Sequence, residues 1–187
     1  MELNKWYEKA MSPDEYIEAM EKHKANLLHI YDHFNLPDDQ SFFEDVKVKD
    51  LRVLVLTEDW CGDAMLNIPI LLRMSEAANM NVRVLLRDQN LDLMDQYLTN
   101  GKSRSIPIFI FIDKEGNEVT KWGPRAEKIQ QFVDDSRKEL PSQDAEDYKE
   151  KFNEMLLFMT KSFRDNTDFW DEVYANIKQT VINGVKG

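Results

Sequence analysis

The middle of the chain switches repeatedly between two hydrophobic periods, and this switching narrows the possible folds more than any other feature. β-rich runs at Arg52 to Leu56, Asn81 to Leu86 and Ile108 to Ile112 are separated by helical patterns from about Cys61 to Asn79 and from about Leu91 to Thr99. A strand, a helix and a second strand in succession imply a parallel pair joined by a crossover. Asp113-Lys114-Glu115-Gly116-Asn117 is a hairpin signal, so Glu118 to Trp122 is expected to return antiparallel to the run before it. Arg125 to Leu140 then reads as a closing helix. The order βαβαββα describes an α/β sandwich of three layers around a central mixed sheet.

The two ends read as helical additions to that middle. Ser12-Pro13-Asp14-Glu15 has a cap, a proline at the first helical position and a capping-box acid. Ile17, Met20, Leu27, Leu28, Tyr31 and Phe34 follow at helical spacing up to Asn35-Leu36-Pro37, which predicts one amphipathic helix. Beyond Pro141, Tyr148, Phe152, Met155, Leu156, Met159 and Phe163 share a helical face, and a further helix starts near Asn166 or Thr167 with Phe169, Trp170, Val173, Tyr174, Ile177 and Val181. At 187 residues and 42% apolar the chain supports one core. The expectation is a single domain over 1–187, with a central part at 41–140 between an N-terminal extension (1–40) and a C-terminal extension (141–187). Core packing is the expected role of the terminal aromatic faces, and any apolar surface left over would favour a homodimer or a protein partner.

A formal charge of −11 opposes binding to polyanions, because nucleic-acid affinity rests on Lys and Arg neutralising phosphates. Neither nucleic acid nor an anionic membrane is an expected partner. No basic start followed by an apolar stretch precedes Met11, and no run approaches the ~20 apolar residues that span a bilayer, so the chain reads as cytoplasmic. A lone cysteine fits a reducing compartment.

That cysteine lies in Thr57-Glu58-Asp59-Trp60-Cys61-Gly62-Asp63-Ala64, between a buried strand and a helix. Pro69 follows inside the helix, Ile106-Pro107 opens the third strand, and Gly123 follows the hairpin. In this order and spacing the four features resemble the thioredoxin family over roughly residues 41 to 140. The resemblance implies a thioredoxin-like fold with Cys61 as nucleophile, Trp60 walling the site and Gly62 allowing close backbone approach. Asp63 stands at the substrate side or serves as a favourable first-turn helix residue. Ile106 and Pro107, the latter cis, would shape a groove in which backbone groups bind an extended substrate.

The family pattern breaks at two positions. The second cysteine expected three residues after Cys61 is Ala64, and the carboxylate that often precedes the family's cysteine by six residues corresponds to Val55. Resolver and base are both missing, so a dithiol cycle is not expected. What remains is monothiol thiol-disulfide exchange in cell redox homeostasis, with Cys61 carrying a mixed disulfide that an external protein or low-molecular-weight thiol resolves. The alternative is a thioredoxin-like binding or adaptor domain that keeps the groove without turnover, so an enzymatic role stays open. The helix N-terminus favours a thiolate while Glu58, Asp59 and Asp63 oppose it, and the near-cancellation predicts a modestly acidified thiol. Neither reading calls for a cofactor.

Other chemistries have little support. His29 and His33 lie one helical turn apart, with His23 or an acid as a third group, but without HExxH they read as packing or solvent-facing side chains rather than metal ligands. Thr57 is four residues before Cys61, unlike the Thr-x-x-Cys spacing of peroxiredoxins. No Gly-x-Ser-x-Gly elbow, phosphate loop or dinucleotide fingerprint is present.

Overall fold

A computed structural model describes residues 3–186. Four helices lead in: α1 (Asn4–Lys9), α2 (Pro13–Ala19), α3 (Lys24–His33) and α4 (Gln40–Lys47). They are followed by β1 (Arg52–Thr57), α5 (Gly62–Ala78), β2 (Asn81–Leu86), a 3-10 turn at Arg87–Gln89, α6 (Leu91–Met94), β3 (Ile108–Ile112), β4 (Glu118–Trp122) and α7 (Glu127–Lys138). Two long helices, α8 (Tyr148–Asp165) and α9 (Thr167–Lys186), close the chain.

The sheet has four strands in the order β2-β1-β3-β4. β1 pairs parallel with β2, from Arg52 opposite Asn81 to Thr57 opposite Leu86, as a strand-helix-strand crossover requires. It pairs antiparallel with β3, Val55 facing Phe109, and β3 pairs antiparallel with β4. Val53 to Leu56 are fully buried because helices cover the sheet, and each such side chain contributes roughly 1.5–3 kcal/mol through burial. The strand that ends at the cysteine loop is thus held on both edges and both faces, as is β3.

The capping box at α2 forms as the sequence indicates, with Ser12 Oγ accepting from the Glu15 N–H and Glu15 accepting from the Ser12 N–H. The single leading helix does not form, however. Met20 turns extended, His23 takes a left-handed φ of 59°, and the Glu21 and Lys22 N–H groups donate to the Asp59 carboxylate instead of continuing a helix. The helix expected from Leu91 to Thr99 is likewise only the one-turn α6. Thr99 is drawn into a bridge with Ser103 across Asn100 and Gly101, both at positive φ.

At the C-terminal end Met155, Met159 and Phe163 of α8 are buried, while Leu156, expected on the same face, is 43% exposed beside exposed Leu157 and Phe158. α9 packs on β4 and α5. Trp122 Nε1 donates to Asn176 Oδ1 at 2.6 Å, and Gly184 lies so close to Thr120 that a Cβ there would meet it at 2.5 Å. The chain is therefore a mixed four-stranded sheet flanked by helices, a thioredoxin-like domain with helices added after it.

Candidate functional site

Cys61 occupies the N-cap of α5, at the end of the short loop leaving β1. Its N–H bonds the Glu58 carbonyl at 3.4 Å, and its own carbonyl begins the helix by accepting from Met65 at 3.1 Å. The thiol donates to the Ile106 carbonyl oxygen, 3.4 Å away. The Ile106-Pro107 peptide is cis, as is Gly123-Pro124. Gly123, at a φ of 123°, lies against the same segment: a Cβ there would be 2.2 Å from the Pro107 carbonyl oxygen, so only glycine fits. Cys61, Pro107 and Gly123 therefore meet at one end of the sheet, while Pro69 lies further along, inside α5.

Burial dominates the electrostatics of the thiol. Cys61 is 8% exposed, and desolvation, aided by the Asp63 charge, pushes its pKa up to about 11. The N–H groups of Ala64 and Asp63 and the Arg125 guanidinium act in the opposite direction without reversing it. The expectation of a modestly acidified thiol is thus corrected. Helix-terminus and carboxylate effects nearly cancel on an exposed thiol, whereas loss of water is the largest effect on this buried one.

Asp63 itself faces inward. Its two carboxylate oxygens take a bidentate pair of bonds from Arg125 Nε and Nη2, each 2.7 Å. Burial raises the Asp63 carboxyl and the guanidinium opposes that rise, so the pair stands as a nearly dry ion pair beside the thiol. Val55, where the family's strand carboxylate would be, is fully buried among apolar strand neighbours, and Ala64 is 1% exposed behind Cys61. A buried carboxylate is present near the sulfur all the same, carried by the helix instead of the strand and held by an arginine.

Trp60 is 44% exposed at the lip of the site, with the Arg87 guanidinium 5.1 Å over its ring. Arg87 Nη1 also donates to the Arg104 carbonyl, two residues before Ile106, so the loop leading into the cis-proline segment is tied to the tryptophan. No atom lies within 4 Å of a Cβ built on Gly62, which leaves the first turn of α5 open.

Several contacts of the site gave no signal in the sequence. Asp59 clamps the α2–α3 turn, so the loop before the cysteine is held from the N-terminal helices. Burial lowers the His23 pKa against the opposing pull of the Trp60 backbone and of Asp59. Glu58 is buried and accepts from the Asp88 N–H at 2.8 Å, and desolvation raises its carboxyl. Tyr16 of α2 is 2% exposed, its buried hydroxyl has no hydrogen-bond partner, and burial raises its phenol, with the charges of Cys61, Asp59 and Glu58 adding to the rise. Arg125 had one available signal, its position directly after the Gly123-Pro124 turn.

His29 and His33 lie elsewhere. Their rings stack at 4.3 Å, His33 Nδ1 bonds the His29 carbonyl, and Arg164 approaches His29 Nδ1 at 3.5 Å, a cation where a metal would have to compete. Among the described residues no group of three or more His, Cys, Asp or Glu is arranged to hold a metal ion, and no helix is long and apolar enough to cross a membrane.

Comparison with known proteins agrees with this geometry. Over the whole chain the fold is similar to that of a protein of unknown function from Pseudomonas aeruginosa, at 14% identity and a TM-score of 0.69, with 99% of each chain covered. It is also similar to an HIV epitope scaffold, at 14% identity and a TM-score of 0.68, covering 100% of this chain and 99% of the other. No curated protein matches. A family model described as thioredoxin matches residues 10–139, from the N-terminal helices through the cysteine loop, the cis-proline strand and α7, and the chain belongs to the thioredoxin family.

Proposed function

We propose that the chain acts in the cytoplasm as a monothiol exchange protein in redox homeostasis, with Cys61 as its only nucleophile. The observation that carries this reading is the contact of the Cys61 thiol with the Ile106 carbonyl next to cis-Pro107. It sets the sulfur at the edge of a backbone segment able to bind an extended peptide. In the forward step Cys61 loses its proton to solvent and attacks one sulfur of a substrate disulfide. The new Cys61–S bond forms as the old S–S bond breaks, and the other substrate half leaves as a thiolate. Ala64 supplies no internal resolver, so a second, external thiol attacks the mixed disulfide, leaves with the substrate half as a new disulfide and returns Cys61 to its reduced form. Trp60 walls the groove and Gly62 leaves room for the substrate backbone. Asp63 acts from behind the sulfur with Arg125.

A second reading, a binding or adaptor domain, is favoured by the thiol pKa of about 11, which keeps the resting sulfur neutral. The two separate in one experiment. Intact-mass spectrometry follows the reduced protein and Cys61→Ser after mixing with an extended peptide that carries one cysteine in a mixed disulfide, followed by excess thiol. Exchange predicts a peptide adduct on the native protein only, released by the thiol, and formed faster than with a small disulfide of equal leaving group. An adduct-free native protein that still binds the peptide, matched by Cys61→Ser, would establish the adaptor reading in its place.

A further inference from the structure

At the opposite end of α5, about 25 Å from Cys61 by helix rise, lies a cavity of about 820 Å³ that thiol exchange does not use. Its volume is in the range of small-molecule sites, about 300–1,000 Å³. α2 and α3 wall one side, the last turns of α5 another, and the starts of β1 and β2 close the floor. Ile17, Leu28 and Leu72 supply apolar surface.

Two observations separate it from a packing gap. Ser75 lines it at 3% exposure with a buried hydroxyl that has no hydrogen-bond partner, and Arg52 lines it with a buried Nε in the same condition. A buried donor without a partner costs about 1–3 kcal/mol, which a polar ligand atom in this space would offset for Ser75.

The charge around the cavity is unequal. Asp14, Glu18, Asp50 and Glu76 line it against Lys24 and Arg52. Both cations are engaged: Lys24 Nζ bonds the Glu18 carbonyl, and Arg52 Nη2 donates to Asn4 Oδ1 and to the carbonyls of Asp113 and Lys114. The carbonyl end of α5, at Ser75 to Asn79, adds the negative pole of a helix dipole.

We propose that this cavity binds a small organic cation, an ammonium or amidinium group on a short apolar body. The cation lies among the Asp14, Glu18 and Glu76 carboxylates, and the hydrocarbon lies on Ile17, Leu28 and Leu72. A hydroxyl or carbonyl on the ligand would complete Ser75.

The test compares hexylammonium, hexanol and hexanoate by amide NMR titration of the full-length protein, and then of the Asp14→Asn, Glu18→Gln double variant. Both changed residues are exposed, so the fold is retained. The expected result is saturable shifts at Ile17, Leu28 and Ser75, with hexylammonium at least about fivefold tighter than hexanol and hexanoate weakest. In the double variant that preference falls at least about twofold, Glu76 and the carbonyl end of α5 keeping the remainder, while hexanol binding stays unchanged. Absence of saturation, shifts centred elsewhere, equal affinity for the three probes, or a preference undiminished in the double variant would each overturn the assignment. Thiol reactivity plays no part in the readout.

Discussion

Raising the pH should expose the character of the Cys61 thiol more sharply than any substitution. Burial moves it from an ordinary 9.0 to about 11. At neutral pH about one sulfur in ten thousand is then ionised, roughly a hundredfold fewer than for the ordinary thiol. A more basic thiolate is also the better nucleophile, and a Brønsted slope of about 0.4–0.5 restores close to eightfold over two units. The net expectation is exchange with a small disulfide roughly tenfold slower than that of an unstructured cysteine peptide, with a rate that keeps rising past pH 9. The assay is quenched-flow alkylation or disulfide exchange read by intact mass from pH 6 to 10.5. A plateau below pH 8, or a neutral-pH rate above that of the peptide, would refute the argument that desolvation governs this site.

The same shift has a stability consequence of definite sign. The folded state holds the Cys61 proton more tightly than the unfolded chain, so the contribution is complete below about pH 9 and is lost as the pH climbs through 11. Two units correspond to about 3 kcal/mol at most. Buried phenols, Tyr16 among them, also destabilise the fold at alkaline pH, since burial raises their pKa values too. The difference between native protein and Cys61→Ala isolates the thiol: urea denaturation should show their gap narrowing between pH 9 and 10.5, and a constant gap would contradict it.

Arg125→Ala leaves the Asp63 carboxylate buried and unpaired, which should cost about 3–5 kcal/mol by urea denaturation, and Asp63→Asn combined with Arg125→Gln should recover part of that loss. Gly123→Ala drives a Cβ into the Pro107 carbonyl at a backbone angle that L-residues rarely adopt, so a loss of at least about 2 kcal/mol should accompany altered amide shifts at Ile106 and Cys61. Asp59→Ala removes the acceptor for two N–H groups in the α2–α3 turn and should cost about 1–2 kcal/mol, with faster hydrogen exchange at Glu21 and Lys22.

The legible parts of the sequence were those set by local pattern. β1, β2, β3 and the hairpin follow from runs of buried apolar residues and a turn at Asp113 to Asn117, and the α8–α9 boundary falls where the Asn166-Thr167 signal stands. Illegible parts were set by contacts distant in sequence. Met20 to His23 continue a helical spacing, and only the Asp59 carboxylate, 37 residues beyond Lys22, takes the N–H groups out of the helix. Leu156 looked like a core residue because periodicity defines a face without fixing how far the neighbouring helices extend across it. At the site, Cys61, Trp60 and Pro107 could be read from spacing, whereas the Arg125 partner of Asp63 lies 62 residues away and has no periodic signature.

Contacts distant in sequence also hold the loop before the cysteine. The loop Glu58 to Cys61 is joined at three places to other parts of the chain: Glu58 to the Asp88 N–H, Asp59 to the α2–α3 turn, and the Cys61 thiol to Ile106. A substrate that adds its backbone along Ile106 competes for the carbonyl that now accepts the thiol proton. Its arrival therefore weakens an interaction that favours the neutral sulfur, while the Ala64 and Asp63 N–H groups and Arg125 remain in place to support the charged one. On this argument an extended peptide disulfide should be favoured over a small disulfide of the same leaving group. The preference should disappear when the peptide's backbone amides facing Ile106 are N-methylated, because the competition depends on a main-chain donor. An equal advantage for the methylated peptide would attribute the rate to side-chain contacts at Trp60 instead.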